Sequence, residues 1–220
     1  MLPRKVKAAF FVLCGPAMRL NAWIYKRWRA PRAGVVRVHL GPGQRNYLKG
    51  WINVDANMFT GKCDVWANLE DGLPFRDQTV DAIYSHHVIE HLSNLDFHFK
   101  EMFRILKRGG VFRVGGPNGD AAIRKYLEQD TAWFSDFPVS RHSIGGRLEN
   151  FIFCRGEHLT ILTPSFLNEL AVQAGFGEVS VAEPCRTTRY PQHFGEAVLR
   201  LEWESTPDTP HTLIVEGCKP

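Results

Sequence analysis

The sequence predicts an α/β protein built on a doubly wound, mostly parallel sheet, and three observations carry that prediction. Residues 80–114 read as strand, polar junction, helix, glycine turn and strand, which is one βαβ half. A strand-like run at 35–40 leads into Gly41-Pro42-Gly43, and a second run at 51–55 ends on Asp55. Two further runs, at 179–182 and 212–216, follow the helices and close the sheet.

The elements follow in order. Residues 1–33 form a basic, aromatic extension that ends in a proline-containing linker, and residues 34–220 form the domain. After strands at 35–40 and 51–55 comes a short one at 64–67. Val80, Ala82, Ile83 and Tyr84 make an apolar run suited to a strand covered on both faces. It ends at Ser85-His86-His87, where the carboxyl end of a parallel strand meets its ligand. Phe99, Met102, Phe103, Ile105 and Leu106 recur at helical spacing, predicting a helix over 94–107 with Lys107 and Arg108 in its last turn. Gly109-Gly110 stop it, and a strand follows at 111–115. A helix over 120–128 has Asn118 or Asp120 as its cap. Residues 130–158 read as an irregular insertion or lid on the substrate side. Thr163-Pro164 open a helix through Ala174, and Gly175 ends it.

Charge divides the chain. Eleven of its 27 Lys and Arg, and none of its 23 Asp and Glu, fall in the first 54 residues, so that part carries +11 and the remainder −7. Met18, Leu20, Trp23, Ile24 and Trp28 would line one face of an amphipathic helix there. Such a helix suits peripheral contact with an anionic membrane; the alternative is that it packs over the ligand pocket with its charges solvated. The uncharged stretch 8–14 is too short to span a bilayer, which needs about 20 apolar residues, and Pro16 follows it. The flanks Arg19, Lys26, Arg27 and Arg29 are poor for signal cleavage. The expected location is cytoplasmic, extending to the inner membrane face. Five widely spaced cysteines without a CxxC pair fit reduced thiols.

Several residues can carry chemistry. Gly41 and Gly43 let backbone approach a ligand closely. Asp55, at a strand end, can accept hydrogen bonds from both hydroxyls of a ribose. His87-Val88-Ile89-Glu90-His91 matches the H-x-x-E-H zinc signature, but it follows a strand directly, and a zinc hydrolase needs the pair on a long helix with a distant third ligand. No metal is therefore expected. His91 suits a site residue at the strand edge, or a histidine bonded to backbone.

Taken together the motifs resemble those of class I S-adenosylmethionine-dependent methyltransferases over most of residues 35–218. V-R-V-H-L-G-P-G is similar to their first motif, W-I-N-V-D to their second, and L-P-F-R-D-Q-T-V-D-A-I-Y-S-H-H-V-I-E-H-L to the signature around their fourth strand. L-K-R-G-G is similar to their L-K-P-G-G, and 158–176 to their late segment ending in A-G-F. The resemblance implies a Rossmann-like, seven-stranded sheet with an antiparallel last strand. It implies S-adenosylmethionine as cofactor and S-adenosylhomocysteine as product. Gly41 and Gly43 would pass under the methionine part, Asp55 would hold the ribose, and Asn68 and Leu69 would sit by the adenine. Ser85, His86 and His87 would line the sulfonium side, with Glu90 and His91 just beyond. His39 stands where the family has an acid linked to the cofactor's amino group, the third glycine of the first loop is absent, and Asn68 replaces an acid.

A hydroxyl or amine acceptor must lose a proton, a task for a histidine near neutral pKa, and His87, His91 and His158 are the candidates. Arg141, His142, Arg147 and Arg155 could hold an anionic acceptor. The expected acceptor is a small molecule, a sugar or a lipid-linked glycan, methylated on oxygen. Nothing resembles an RNA-recognition or zinc-finger pattern, so no nucleic-acid partner is expected. The rival reading is a non-catalytic subunit with the same fold.

Overall fold

The computed structural model describes residues 4–59, 61–206 and 208–220, so residues 1–3 of the basic extension lie outside the described residues, as do the side chains of Arg4 and Lys5. The extension is a helix, α1 (Arg4–Ile24), that widens into a last turn at Tyr25–Arg29. It runs through Pro16 rather than stopping there, at the loss of one backbone hydrogen bond.

The domain follows as β1 (Arg37–Leu40), β2 (Ile52–Asp55), β3 (Val65–Trp66), β4 (Val80–His86), α2 (Leu95–Ile105), β5 (Leu106–Pro117), α3 (Gly119–Leu127), α4 (Ile144–Phe153), α5 (Pro164–Ala174), β6 (Gly177–Ala182), α6 (Glu196–Leu199) and β7 (Thr212–Cys218). The seven strands lie in the order β3-β2-β1-β4-β5-β7-β6. β7 runs antiparallel to both of its neighbours, and every other pairing is parallel. The doubly wound sheet is therefore as expected. The order reverses between β1 and β4, and at such a switch point the loops diverge and leave a crevice.

Strand alternation sorts the side chains. Val38, Leu40, Val54 and Ile83 join Phe99, Met102, Phe112 and Leu170 in the main core. Ala82 and Tyr84 join Trp51, Phe194 and Val198 on the other face. Helix starts are set by side-chain caps: Asn94 accepts from the Phe97 amide, Asn118 from Ala121 and Thr163 from Phe166. Gly175, at φ +104°, ends α5 in the left-handed region.

Several boundaries differ from expectation, among them that of β5, which begins at Leu106 and takes in Gly109-Gly110. β1 starts at Arg37, because Val35 is exposed and Val36 is held by its backbone to Asp81 instead. α2 ends at Ile105, so Lys107 and Arg108 lie beyond it; Leu106 turns to extended backbone and is fully buried. The cation at that helix end comes from Lys219, whose Nζ donates to the Phe103 and Leu106 carbonyls at 2.7 and 2.9 Å. Residues 130–158 are not irregular throughout, since they contain α4. Ile144, Leu148, Phe151 and Ile152 recur at helical spacing and pack with Trp133, Phe134, Ala121 and Ala122 in a separate apolar cluster. Gly145-Gly146 masks that period in the sequence.

Candidate active site

A cavity of about 1480 Å³ opens at the carboxyl ends of β1, β2 and β4. It exceeds the ~300–1,000 Å³ usual for one small-molecule site, leaving room for two ligands side by side. A second, smaller hollow of about 660 Å³, around Cys185 to Arg200, holds none of the sequence-predicted site residues.

The large cavity begins at the loop after β1. Gly41 has φ +69°, and a Cβ there would lie 2.3 Å from Val88 Cγ2, so no other residue fits. Gly43 has φ +58° and faces open space. Its amide donates to Asp55 Oδ2 at 2.8 Å, and the Asn57 amide donates to Oδ1 at 2.8 Å. Asp55 thus braces the glycine loop from β2. Each of its oxygens keeps lone-pair capacity for a ribose hydroxyl. Asn68 and Leu69 line the same cavity. The Asn68 Oδ1 accepts from the Glu70 amide at 3.2 Å, capping a single 3₁₀ turn. Glu70 in turn takes the Ser93 amide and hydroxyl at 2.7 and 2.8 Å, joining the wall beyond β3 to the one beyond β4.

The other end of the cavity is built on the loop after β4. His87 stands at φ 54°, strained for a residue with a Cβ. Its Nδ1 lies 3.0 Å from Oε1 of Glu90, a carboxylate with 0% exposure. Burial pushes the Glu90 carboxyl up, but the His87 hydrogen bond and the charges of His87 and His91 outweigh it, and the net direction is down. His91 Nδ1 is 2.9 Å from the Glu157 carbonyl, and His158 Nδ1 is 3.0 Å from the Ile152 carbonyl. A carbonyl only accepts, so both rings carry a proton on Nδ1, which leaves Nε2 as the lone-pair nitrogen of the neutral ring. The two rings meet edge to face at 4.9 Å. Burial lowers the His158 pKa. The His87/His91 pair of the zinc signature is not on a helix: a single 3₁₀ turn, Ile89–His91, carries its second half.

Gly41, Gly43, Asp55, Asn68, Leu69, His87 and His91 therefore line the cavity, and His158 packs against its His91 edge. Three expected residues do not line it. His39 is buried on the opposite sheet face, its Nδ1 3.1 Å from Asn53 Oδ1 and its ring 5.1 Å from that of Tyr84. Ser85 is buried within the sheet. The His86 ring stacks against Tyr84 at 6.4 Å, and burial holds its pKa well below the usual histidine value. Alternation puts His39 and His86 on the Tyr84 face of the sheet and Ser85 on the other, core-facing side beside Leu40.

α1 brings Lys7, Phe10 and Phe11 into the lining, as the pocket-covering alternative for the extension expects, although none of the three was singled out as a site residue. Phe10 packs on Phe59 at 6.0 Å, Lys7 pairs with Glu157, and Asn21 donates to the Trp66 carbonyl at 2.8 Å. The aromatic content of the extension was the available signal.

Residues 20–114 match the family model described as "Methyltransferase domain". No curated protein sequence matches the chain. Among solved structures, a SAM-dependent methyltransferase from Thermotoga maritima superposes with a TM-score of 0.55 at 18% identity, covering 98% of this chain and 95% of that one. The methyltransferase bound to the Haloferax volcanii Trm112 activator superposes at 0.50 and 17% identity, covering 97% and 95%. Phosphoethanolamine N-methyltransferase 2 of Haemonchus contortus, in complex with S-adenosyl-L-methionine, does so at 0.50 and 17%, covering 92% of this chain and 52% of that one. The fold is that of class I, Rossmann-like methyltransferases, and residues 20–114 match their domain model. S-adenosylmethionine is the cofactor that this likeness implies.

The site fits that cofactor. Gly43 offers open backbone, Asp55 a carboxylate for vicinal hydroxyls, and Leu69 an apolar wall beside the Asn68 amide. Among the described residues no helix is long and apolar enough to cross a membrane.

Proposed function

We propose that the enzyme methylates a hydroxyl of a sugar or lipid-linked glycan at an anionic membrane surface, with His87 as the base. The observation that carries this is the His87–Glu90 pair at the far end of the cavity that starts at Gly43 and Asp55. When bound, the cofactor supplies a sulfonium-activated methyl group. The loop and Asp55 fix its orientation, so the protein's main task is alignment. Glu90 holds the His87 ring by Nδ1 and leaves Nε2 to take the acceptor's proton, as in other carboxylate-oriented histidine bases. The oxygen forms its bond to the methyl carbon as the carbon–sulfur bond breaks, giving a methyl ether and S-adenosylhomocysteine.

The membrane part rests on α1. Leu13, Leu20, Trp23 and Trp28 are 78, 57, 56 and 60% exposed, while Arg27 lies 5.7 Å over the Trp28 ring and Arg19, Lys26 and Arg29 flank them. Exposed apolar and aromatic side chains rimmed by cations suit the headgroup region of an anionic bilayer. The same helix carries Lys7, Phe10 and Phe11 into the cavity wall, which would bring a membrane-borne acceptor to the site. The insertion carrying α4 and His158 would cover the acceptor. The rival non-catalytic reading rested on His39 and the missing glycine, yet His39 faces away and Gly43 is still braced by Asp55.

Two measurements test the proposal. Vesicle cosedimentation should show binding to phosphatidylglycerol but not to phosphatidylcholine, reduced at least fivefold in Trp23→Ser/Trp28→Ser. Methyl transfer from labelled cofactor to extracted glycolipids should fall at least 100-fold in His87→Ala with cofactor affinity kept. Equal binding to both vesicles removes the membrane part, and full transfer by His87→Ala removes the base.

A further inference from the structure

Glu90, His91 and His158 bring a carboxylate oxygen and two imidazole nitrogens within 4.8 Å of one another. We propose that these three side chains bind a divalent transition-metal ion, such as zinc, at the acceptor end of the cavity.

Four observations point the same way. Both histidines donate Nδ1–H to backbone carbonyls, of Glu157 and Ile152. That is the outer-shell arrangement that fixes a ligand imidazole and leaves its Nε2 lone pair for a metal. The His91 Nε2 lies 4.0 Å from Glu90 Oε1. Ligand atoms around a tetrahedral zinc at ~2.1 Å sit roughly 3.4 Å apart, so small side-chain rotations close the set. Glu90 is fully buried, and its Oε2 has no hydrogen-bond partner among the described residues. That buried, unpartnered carboxylate oxygen has lone pairs free for a cation. Finally, His87 holds Oε1 from the other side at 3.0 Å and fixes the carboxylate.

Two nitrogens and one oxygen favour zinc, cobalt, nickel or iron over magnesium or calcium. The set differs from the sequence signature, which pairs His91 with His87. Here His158, 67 residues further on, takes that place, and the Leu159 amide ties its segment to the Glu90 carbonyl at 2.7 Å. With three protein ligands a coordination position stays open. A hydroxyl bound there would lose its proton more readily, with His87 receiving it. This step deepens the proposed O-methylation, whereas ion binding stands apart from it.

The full chain, stripped with chelator, is titrated with Zn²⁺ by calorimetry and with Co²⁺ by visible absorption; binding of S-adenosylhomocysteine is measured alongside. One ion per chain is expected, with a cobalt d–d band that excess zinc abolishes. His91→Ala, at an exposed position, should weaken binding at least tenfold, as should Glu90→Gln. His142→Ala, an exposed histidine in the insertion, should leave it unchanged. Absence of stoichiometric binding, or equal binding by His91→Ala and the native chain, overturns the site even if S-adenosylhomocysteine still binds. Ion binding without methyl transfer would leave the site standing and sink only the acceptor reading.

Discussion

Lys7, in the first helix, forms an ion pair with Glu157, at the end of the insertion that carries α4. The two ends of the cavity wall, 150 residues apart in sequence, are thereby joined. The lysine side chain is 38% exposed and the glutamate 12%. Such a half-open pair contributes no more than about 1 kcal/mol to stability. Lys7→Ala should therefore leave the thermal midpoint nearly unchanged. Lys7→Glu sets two carboxylates side by side in the cavity wall and should raise the KM for acceptor severalfold with cofactor affinity preserved. An unaltered KM in Lys7→Glu would mean the pair plays no part in closing the site.

Asp55 joins β2 to the glycine loop through Gly43 and Asn57. Removing it orphans two backbone amides and takes away the acceptor for a ribose. Asp55→Ala should weaken S-adenosylhomocysteine binding by about 1.5–3 kcal/mol, the scale of hydrogen bonds to a charged group. Calorimetry with a folded variant measures this directly, and an unchanged Kd would remove Asp55 from the site.

These two residues also mark what the sequence could reveal. Asp55, Gly41, Gly43 and His87 were legible because each sits at a strand end, where chain position alone points a residue at the crevice. His39, Ser85 and His86 were expected in the cavity but lie outside its lining, because alternation puts His39 and His86 on the Tyr84 face and Ser85 on the core face, which chain position alone does not reveal. Packing of the extension over the pocket was legible as an alternative, but not which residues do it: helix periodicity gives a face without naming Lys7 and Phe10 as the cavity contacts. His158 could be named as a base candidate, yet its partnership with Glu90 and His91 depends on a tertiary contact between the loop after β4 and the end of the insertion. α4 was hidden by the glycine pair at 145–146.

His39 and His98 make stability depend on pH. Burial lowers the pKa of each from 6.5 to about 4; the Asn53 hydrogen bond opposes this at His39, and Glu101 opposes it at His98. His86 is also buried with its pKa held well below the usual value, and His39 and His86 repel when both are protonated. The unfolded chain then binds more protons than the folded one between about pH 6.5 and 4. Stability is complete above 6.5 and falls as pH drops through that window, by up to about 3 kcal/mol for each histidine. Both ring nitrogens of His98 lack a hydrogen-bond partner among the described residues. His98→Leu should therefore flatten the pH dependence of the urea midpoint in part, with His39 and His86 keeping theirs, and raise stability at pH 5. An identical slope in His98→Leu and the native chain would show that His98 is not buried neutral.

Arg113 is the largest buried polar side chain of the sheet. It forks onto Glu202 at 2.5 and 2.7 Å and reaches Glu216 at 2.6 Å, with all three side chains at 0% exposure. Thr188 and the amides of Arg189 and Cys185 also donate to these carboxylates. β5, β7 and the segment after α6 thus converge on a single guanidinium. Arg113→Met would leave two carboxylates buried without their cation and should cost about 3–5 kcal/mol. Adding Glu202→Gln and Glu216→Gln removes the charges and keeps acceptors for the backbone amides. The triple variant should therefore recover at least half of that loss, because the damage in the single variant is uncompensated charge rather than lost packing. Urea denaturation of the three proteins separates these outcomes. A triple variant no more stable than Arg113→Met would mean that shape, and not charge, holds this part of the sheet together.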